Sequence, residues 1–155
     1  MPTRRTFLTQ LGIAAALTPL PKNLLAAPNN PSIIKPPRIR LGDTVGIINP
    51  AGATFNSDEI DVVKESLAAL GLKANLGKHA LDRYGYLAGT DEARAADVNA
   101  MFADKEVNAV LCIRGGWGCN RILPLLDYNL IKKNPKALIG YSDITSLLVA
   151  IYART

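Results

Sequence analysis

Short apolar runs alternate with longer segments of mixed polarity from residue 38 to residue 155. Each short run has the length of a buried strand and is bordered by turn-forming residues. The longer segments repeat their apolar residues every three or four positions, as helices do. Strands that alternate with helices in this way form parallel sheets, because each helix carries the chain back to the start of the next strand. The pattern therefore predicts an α/β domain.

Four strands are predicted, at Thr44–Ile48, Leu72–Leu76, Ala109–Ile113 and Ala137–Ile139. The helix after the first strand is predicted from apolar residues at helical spacing, which are Ile60, Val63, Leu67 and Leu70. Gly71 follows at a position where helices often end. Three further helices are predicted: Asp91–Phe102 with Thr90 as its N-terminal cap, Arg121–Leu126, and one that begins at Asp143 or Ile144.

The first 27 residues have the form of a twin-arginine export signal. Arg4-Arg5 precedes an apolar stretch over residues 11–25 that ends in Ala26-Ala27, and no acidic residue is present. The stretch is short and interrupted by proline, which disfavours a permanent membrane anchor. We expect the twin-arginine export machinery as a transient partner and cleavage near Ala27. The expected location is the periplasm, with the cytoplasm as the alternative.

Residues 28–37 contain four prolines and predict an extended tether. The predicted organisation is thus a signal over residues 1–27, a tether over residues 28–37 and one domain over residues 38–155. The domain has a sizeable apolar fraction, since the whole chain is 48% hydrophobic and 20% charged. Because the last predicted helix has no capping residue before residue 155, we expect the domain to be truncated there.

The charge of the chain gives little support for nucleic-acid binding. The formal net charge is +5, but three of the cations lie within residues 1–27 and the remainder carries +2. Lysine and arginine are interleaved with acidic residues and form no basic stripe. Cys112 and Cys119 have neither the spacing nor the neighbours of a metal site, and we expect two unpaired thiols, with a disulfide as the alternative.

A serine follows the fourth predicted strand, in the sequence Gly140-Tyr141-Ser142-Asp143. A serine between a strand and a helix can be a nucleophile held at a sharp turn, with the N–H of Asp143 directed at an oxyanion. Ile144 replaces the glycine of the usual Gly-x-Ser-x-Gly signature. The alternative is that Ser142 only caps the helix that follows, a common role for serine.

A second candidate is the segment Arg114–Gly118, here called the glycine loop, which follows the third predicted strand. Its glycines leave backbone N–H groups free to face a ligand at the same edge of the sheet as Ser142. The loop lacks the Gly-Lys-Ser/Thr of a phosphate loop, which counts against a nucleotide. We interpret it as a cradle for an oxyanion or a carboxylate. Tyr84, Tyr86 and Trp117 can line such a pocket or serve as packing residues.

Four blocks of the chain together resemble the LD-carboxypeptidase family. They are 42–52 (GDTVGIINPAG), 86–91 (YLAGTD) with Arg94, 114–118 (RGGWG) with Arg121, and 135–145 (PKALIGYSDIT). The resemblance implies an open parallel-sheet domain, Rossmann-like or flavodoxin-like, that is the N-terminal domain of such an enzyme. It also implies a Ser-Glu-His triad in which Ser142 is the nucleophile, with an oxyanion hole formed by the N–H groups of Asp143, Gly115 and Gly116.

The activity implied by the resemblance is cleavage of the bond between the L-centre of a diamino acid and a terminal D-alanine in a murein tetrapeptide. It implies no metal or organic cofactor, and related enzymes form dimers. In the family the Glu and His come from a C-terminal domain that is absent from this chain. His79 is the single histidine, and its position before residue 86 disfavours it as the base. The alternatives are an inactive or peptide-binding remnant, and an esterase or amidase acting on small acyl substrates.

Overall fold

The structure, a computed structural model, describes residues 33–54 and 56–155. The predicted export signal and the first half of the tether lie outside these residues, and residues 33–40 have no regular secondary structure. The strands are β1 (Thr44–Ile48), β2 (Lys73–Leu76), β3 (Val107–Cys112) and β4 (Ala137–Ile139). The helices are α1 (Asp58–Ala69), α2 (Asp91–Ala103), α3 (Cys119–Ile122), α4 (Tyr128–Lys133) and α5 (Ile144–Arg154).

The four strands form one parallel sheet in the order β2-β1-β3-β4. Near the carboxyl ends of the strands, Ile47 pairs with Leu76, Ile48 with Cys112, and Leu111 with Ile139. The register therefore brings the ends of all four strands to one edge of the sheet. The predicted α/β class with a parallel sheet is confirmed.

Helices cover both faces of the sheet. Val45 and Ile47 pack with Leu67 of α1 on one face, whereas Ile48 and Val110 pack with α2, α3 and α5 on the other. Buried apolar side chains thus alternate along β1, as expected for a strand covered on both sides. No helix in the described part of the chain is long and apolar enough to cross a membrane.

Local signals fixed several element ends. Gly71 lies just past α1 with φ +72°, a conformation that glycine adopts without steric cost, and the Thr90 side chain accepts a hydrogen bond from the Ala93 N–H at 3.2 Å. The prediction of Leu70 as a helical residue of α1 is wrong. Leu70 lies at the C-terminal cap, after the last helical residue, and is 65% exposed.

The segment after the glycine loop differs from the prediction of one helix over Arg121–Leu126. It forms the short helix α3 and then a 3₁₀ turn over Leu123–Leu125. Pro124 lies in the first turn of the 3₁₀ segment, where the missing N–H prevents an α-helix from continuing. Helix α4 was not predicted; it begins after Asp127, whose side chain accepts from the Leu130 N–H at 2.9 Å.

Candidate active site

The loops that follow the four strands form one surface, here called the strand-end face. They comprise residues 49–54, 77–89, 113–118 and 140–143. Backbone hydrogen bonds join the first three of these loops. The Gly52 N–H donates to the Gly115 carbonyl at 3.1 Å, and the Ala53 N–H donates to the Tyr86 carbonyl at 2.9 Å. The loops therefore support one another, which fixes the positions of the groups they carry.

Ser142 is exposed on the strand-end face and adopts a left-handed backbone with φ +60°. Among the described residues it is the one non-glycine residue with a positive φ. The N-terminal cap of α5 is Asp143, and Ser142 contributes its carbonyl to the first turn, accepting from the Thr145 N–H at 2.9 Å. Ser142 therefore does not occupy the cap position of α5, and its left-handed backbone at a strand-to-helix turn is a strained geometry that nucleophile elbows share.

The Asp143 side chain is turned away from Ser142 and toward α3. Its Oδ2 accepts a hydrogen bond from the Cys119 N–H at 2.8 Å, so this carboxylate caps the start of α3. The N–H of Asp143 has no acceptor among the residues that the structure describes. Asp143 thus offers its backbone, and not its carboxylate, beside Ser142.

Gly115 lies directly beside Ser142. A Cβ atom built on Gly115 would be 2.7 Å from the Ser142 Cβ and 3.1 Å from its Oγ, so any larger residue would displace the serine. Gly116 has φ +124°, and a Cβ there would lie 2.5 Å from the Tyr86 hydroxyl. The structure therefore brings Ser142, Asp143 and Gly115 together. Gly116 packs closely against the Tyr86 side chain.

Aromatic side chains border the glycine loop. The Tyr86 and Trp117 rings are stacked, with centroids 5.6 Å apart and planes inclined by 14°. Each ring is about half exposed, at 49% and 51%, and Tyr84 and Tyr141 are more exposed still. Tyr86 and Trp117 thus pack against each other and remain open to solvent on the strand-end face.

No role for Arg94 is predicted from the sequence, yet its buried guanidinium joins two loops of the site. Arg94 is 1% exposed, and its Nη1 donates to the carbonyls of Pro50 at 2.6 Å and Gly118 at 3.2 Å. The Arg94 Nη2 pairs with the Asp91 carboxylate. Arg121 binds the same carboxylate, with 2.8 Å between the Arg121 Nη2 and the Asp91 Oδ2. Arg94 belongs to the second block of the family resemblance, which was the one available signal.

His79 lies after β2, at the opposite side of the sheet from Ser142. Neighbouring strands are about 4.8 Å apart, so β2 and β4 are separated by about 14 Å. The His79 Nδ1 pairs with Asp82 at 2.7 Å, and its backbone N–H donates to the buried Asp97 carboxylate at 3.0 Å. Burial raises the pKa of Asp97. His79 thus orders the 77–82 turn and lies outside hydrogen-bonding reach of Ser142.

Both cysteines are buried beneath the strand-end face as free thiols. Burial raises the pKa of Cys112 far above its ordinary value. Burial, reinforced by the nearby Asp143 carboxylate, raises the pKa of Cys119 to about 12. The unpaired state expected for both cysteines is thus what the structure has. Within residues 33–54 and 56–155 no group of three His, Cys, Asp or Glu side chains is placed to hold a metal ion.

This arrangement suits nucleophilic attack by Ser142 on a carbonyl, with backbone N–H groups nearby for the developing oxyanion. A serine hydroxyl needs a base, and the neighbouring carboxylate of Asp143 is engaged with Cys119. The sequence has one histidine, which lies across the sheet. The strand-end face therefore places the Ser142 hydroxyl beside the glycine loop and the Asp143 backbone, and the one histidine of the sequence lies out of its hydrogen-bonding reach.

Comparison with known proteins gives a consistent result. Residues 45–155 match the family model described as the LD-carboxypeptidase N-terminal domain. The chain is 47% identical over 121 residues to a probable murein peptide carboxypeptidase of Bacillus subtilis, covering 78% of this chain and 38% of that protein. It is 40% identical over 109 residues to a murein tetrapeptide carboxypeptidase of Pseudomonas aeruginosa, covering 70% of this chain and 35% of that protein.

A solved structure of an MccF-like protein from Bacillus anthracis superposes with a TM-score of 0.74 at 33% identity. The superposition covers 77% of this chain and 37% of that one. The chain thus spans less than two-fifths of the length of the relatives it matches. In each of these three comparisons the larger part of the relative has no counterpart in this chain.

Proposed function

Because the chain belongs to the LD-carboxypeptidase family, we propose that it forms the nucleophile-bearing part of a serine carboxypeptidase. The proposed substrate is a murein tetrapeptide, and the bond cleaved joins the L-centre of its diamino acid to the terminal D-alanine. The observation that carries the proposal is the left-handed Ser142 at the strand-to-helix turn, in contact with Gly115 of the glycine loop.

In the proposed reaction the Ser142 Oγ attacks the carbonyl carbon of the L,D bond and loses its proton to a base. The resulting oxyanion accepts hydrogen bonds from the N–H groups of Asp143 and of Gly115 and Gly116. The C–N bond then breaks, the base returns the proton to the leaving nitrogen, and D-alanine departs. Water hydrolyses the acyl-serine in a second, equivalent cycle.

The base in this proposal is a His oriented by a Glu, as the family resemblance implies, and neither is assigned to a residue of this chain. The position of His79 across the sheet supports this division of labour. Loss of a triad base removes most of the rate advantage of a serine hydrolase. The chain alone is therefore expected to bind substrate but to turn it over very slowly.

The test is a chimera that joins Thr155 to the part of the Bacillus subtilis relative that this chain does not span. D-alanine release from a tetrapeptide should appear in the chimera and disappear with Ser142→Ala. Ser57→Ala is the matched control, since Ser57 is exposed and its side chain makes no cap hydrogen bond in α1. Release that persists in the Ser142→Ala chimera would show that Ser142 is not the nucleophile.

A second candidate is a peptide-binding remnant, favoured by the distance of His79 from the only proposed nucleophile. The folded chimera would then bind the tetrapeptide without releasing D-alanine, and Ser142→Ala would bind it equally well. An esterase or amidase acting on small acyl groups would instead hydrolyse p-nitrophenyl esters and leave the tetrapeptide intact. The same preparations therefore separate all three functions.

We further propose that Arg4 and Arg5 direct the folded protein to the periplasm, where murein and its fragments are available as substrate. The support is the sequence alone, in which a twin-arginine pair precedes a short apolar stretch. Replacing both arginines by lysine should leave the protein in the cytoplasm on cell fractionation. An unchanged periplasmic fraction would exclude this route.

A further inference from the structure

A single peptide group connects the buried Arg94 to Asp143. The carbonyl of Gly118 accepts from the Arg94 Nη1 at 3.2 Å, and the N–H of the same peptide, that of Cys119, donates to the Asp143 Oδ2 at 2.8 Å. The Gly118-Cys119 peptide is thus held at its carbonyl by a cation and at its N–H by an anion. Hydrogen bonds to charged groups are stronger than neutral ones, and bonds in series polarise one another.

The cost of burying Arg94 indicates that its charge is needed where it is. Its Nε is buried and has no hydrogen-bond partner among the described residues. An uncompensated polar group in the interior is destabilising, and apolar side chains of similar volume often replace buried ion pairs with no loss of stability. Packing alone therefore does not account for an arginine at this position.

The position of the bridged peptide explains what Arg94 can control. Gly118 has φ +114° and ends the glycine loop, and Cys119 begins α3. Asp143 lies at the far end of the bridge. It directly follows Ser142 and occupies the N-terminal cap position of α5. A rotation of the Gly118-Cys119 peptide would release the Asp143 carboxylate. It would also change the direction of the backbone N–H groups in the glycine loop and at Asp143, which lie on either side of Ser142.

We propose that Arg94 is a positioning residue that fixes the serine turn, residues 140–143, through the Gly118-Cys119 peptide and Asp143. The effect on catalysis rests on the proposed function, whereas the effect on geometry does not. Arg94 also holds the Pro50 carbonyl at 2.6 Å, so the same guanidinium ties the loop after β1 to this bridge. Arg94 does not contact the reacting atoms and acts through the peptide that it orients.

The geometric part is tested by ¹H–¹⁵N NMR of the whole chain. Arg94→Gln should move the Cys119 amide proton upfield and shift the Ser142 and Asp143 amide signals by more than a linewidth. Arg94→Lys keeps a cation and should restore part of both shifts. Asp143→Asn replaces the anionic acceptor at the other end of the bridge by a neutral one, which weakens that hydrogen bond and should reproduce the direction of the Cys119 shift.

Val98→Ala is the matched control, because Val98 lies on the same helix, is fully buried and makes no hydrogen bond through its side chain. It should lower thermal stability and leave the Cys119 and Ser142 amide signals in place. The proposal is overturned if Val98→Ala moves these signals as far as the Arg94 variants do, or if neither Arg94→Lys nor Arg94→Gln moves them. Should Arg94→Gln not fold, Arg94→Lys and Asp143→Asn still decide the question.

The catalytic part is measured in the chimera as a division between kcat and KM. Misplacing a reacting group by about 1 Å can lower a rate by about 100-fold, so we expect Arg94→Gln to lower kcat by about tenfold to 100-fold with KM unchanged. Arg94→Lys should recover part of kcat. An equal rise in KM with kcat unchanged would refute a positioning role. An inactive parent chimera would contradict the proposed function alone, since the NMR result stands separately.

Discussion

Gly115 and Ser142 are in van der Waals contact across the ends of β3 and β4, so closely that a methyl group on Gly115 would lie 2.7 Å from the serine Cβ. The contact joins the glycine loop to the serine turn. It also makes the position of the serine depend on a residue that carries no functional group.

Gly115→Ala should therefore displace Ser142 and destabilise the fold. Overpacking of a well-packed position typically costs about 1–3 kcal/mol, and we expect a loss in this range in urea denaturation. The backbone of Gly115 is not left-handed, so the cost would come from contact with Ser142 and with the Tyr141 carbonyl, which the added Cβ would approach to 3.2 Å. Gly85→Ala is the control for the opposite case, because Gly85 has φ +60° and open space around its Cβ position. It should cost stability through backbone strain and leave Ser142 in place. Wild-type stability in Gly115→Ala, together with undiminished D-alanine release by the chimera that carries it, would contradict the close contact.

Ser142→Gly should stabilise the chain, because Ser142 holds a left-handed backbone that glycine adopts freely. That conformation costs an L-residue about 1–2 kcal/mol, and the greater freedom of glycine in the unfolded chain offsets about 0.4–1 kcal/mol. The expected net gain is about 0–1.6 kcal/mol relative to Ser142→Ala. Ser57→Gly, at φ −69°, should show no such gain. Equal destabilisation by both glycine variants would rule out strain at Ser142.

Arg121→Gln should raise the pKa of Asp91. A pH titration of the Asp91 carboxyl carbon by ¹³C NMR measures this change. The hydrogen bond from Arg121 is the main cause that holds the pKa of Asp91 below its usual 3.8, with Arg94 contributing and burial opposing. A depressed pKa in the folded state stabilises the chain above the unfolded pKa, and this contribution is lost as the pH falls through the folded value. The loss of stability in Arg121→Gln should thus be present at neutral pH and vanish in strong acid.

Lys64→Gln, which removes an exposed ion pair with Asp61, is the control for general charge effects of this substitution. It should leave the pKa of Asp91 unchanged, and it should also leave the pH dependence of the stability of the chain unchanged. A stability difference for Arg121→Gln that is the same at neutral pH and in strong acid would argue against the ion pair as its cause.

Neither cysteine should react with a thiol reagent at pH 8 while the chain is folded. The thiolate is the reactive species, and burial raises the pKa of Cys119 to about 12 and that of Cys112 further. Both should react once urea unfolds the chain, which a colorimetric thiol count measures. A fast-reacting thiol in the folded chain contradicts the buried environment. No reaction after unfolding would instead reveal a disulfide.

The strands were predictable because their apolar runs are bounded by strong local signals. β1 and β4 have the predicted ends, and Thr90 and Gly71 mark helix ends as their chemistry requires. Since carboxyl ends of parallel strands share one edge, the meeting of Ser142 with the glycine loop also followed from the order of elements. These predictions needed only local pattern and one topological rule.

Other features depend on contacts between segments that are distant in sequence. Nothing near Arg94 indicates that its guanidinium reaches Pro50 and Gly118, and nothing near Asp143 indicates that its carboxylate caps α3. The short helix α4 lacked a periodic pattern long enough to be recognised. Long-range side-chain partners of this kind are set by the folded packing and leave no local trace.

The cross-linked loops of the strand-end face also bear on how the protein folds. Parallel strands pair slowly, because each pairing must close a long segment of chain before it gains any contact. The serine turn contacts the glycine loop only when β4 has joined β3, and the glycine loop contacts the loop after β1 only when β3 has joined β1. The serine thus acquires its left-handed turn beside Gly115 only after both of these strand pairings have formed.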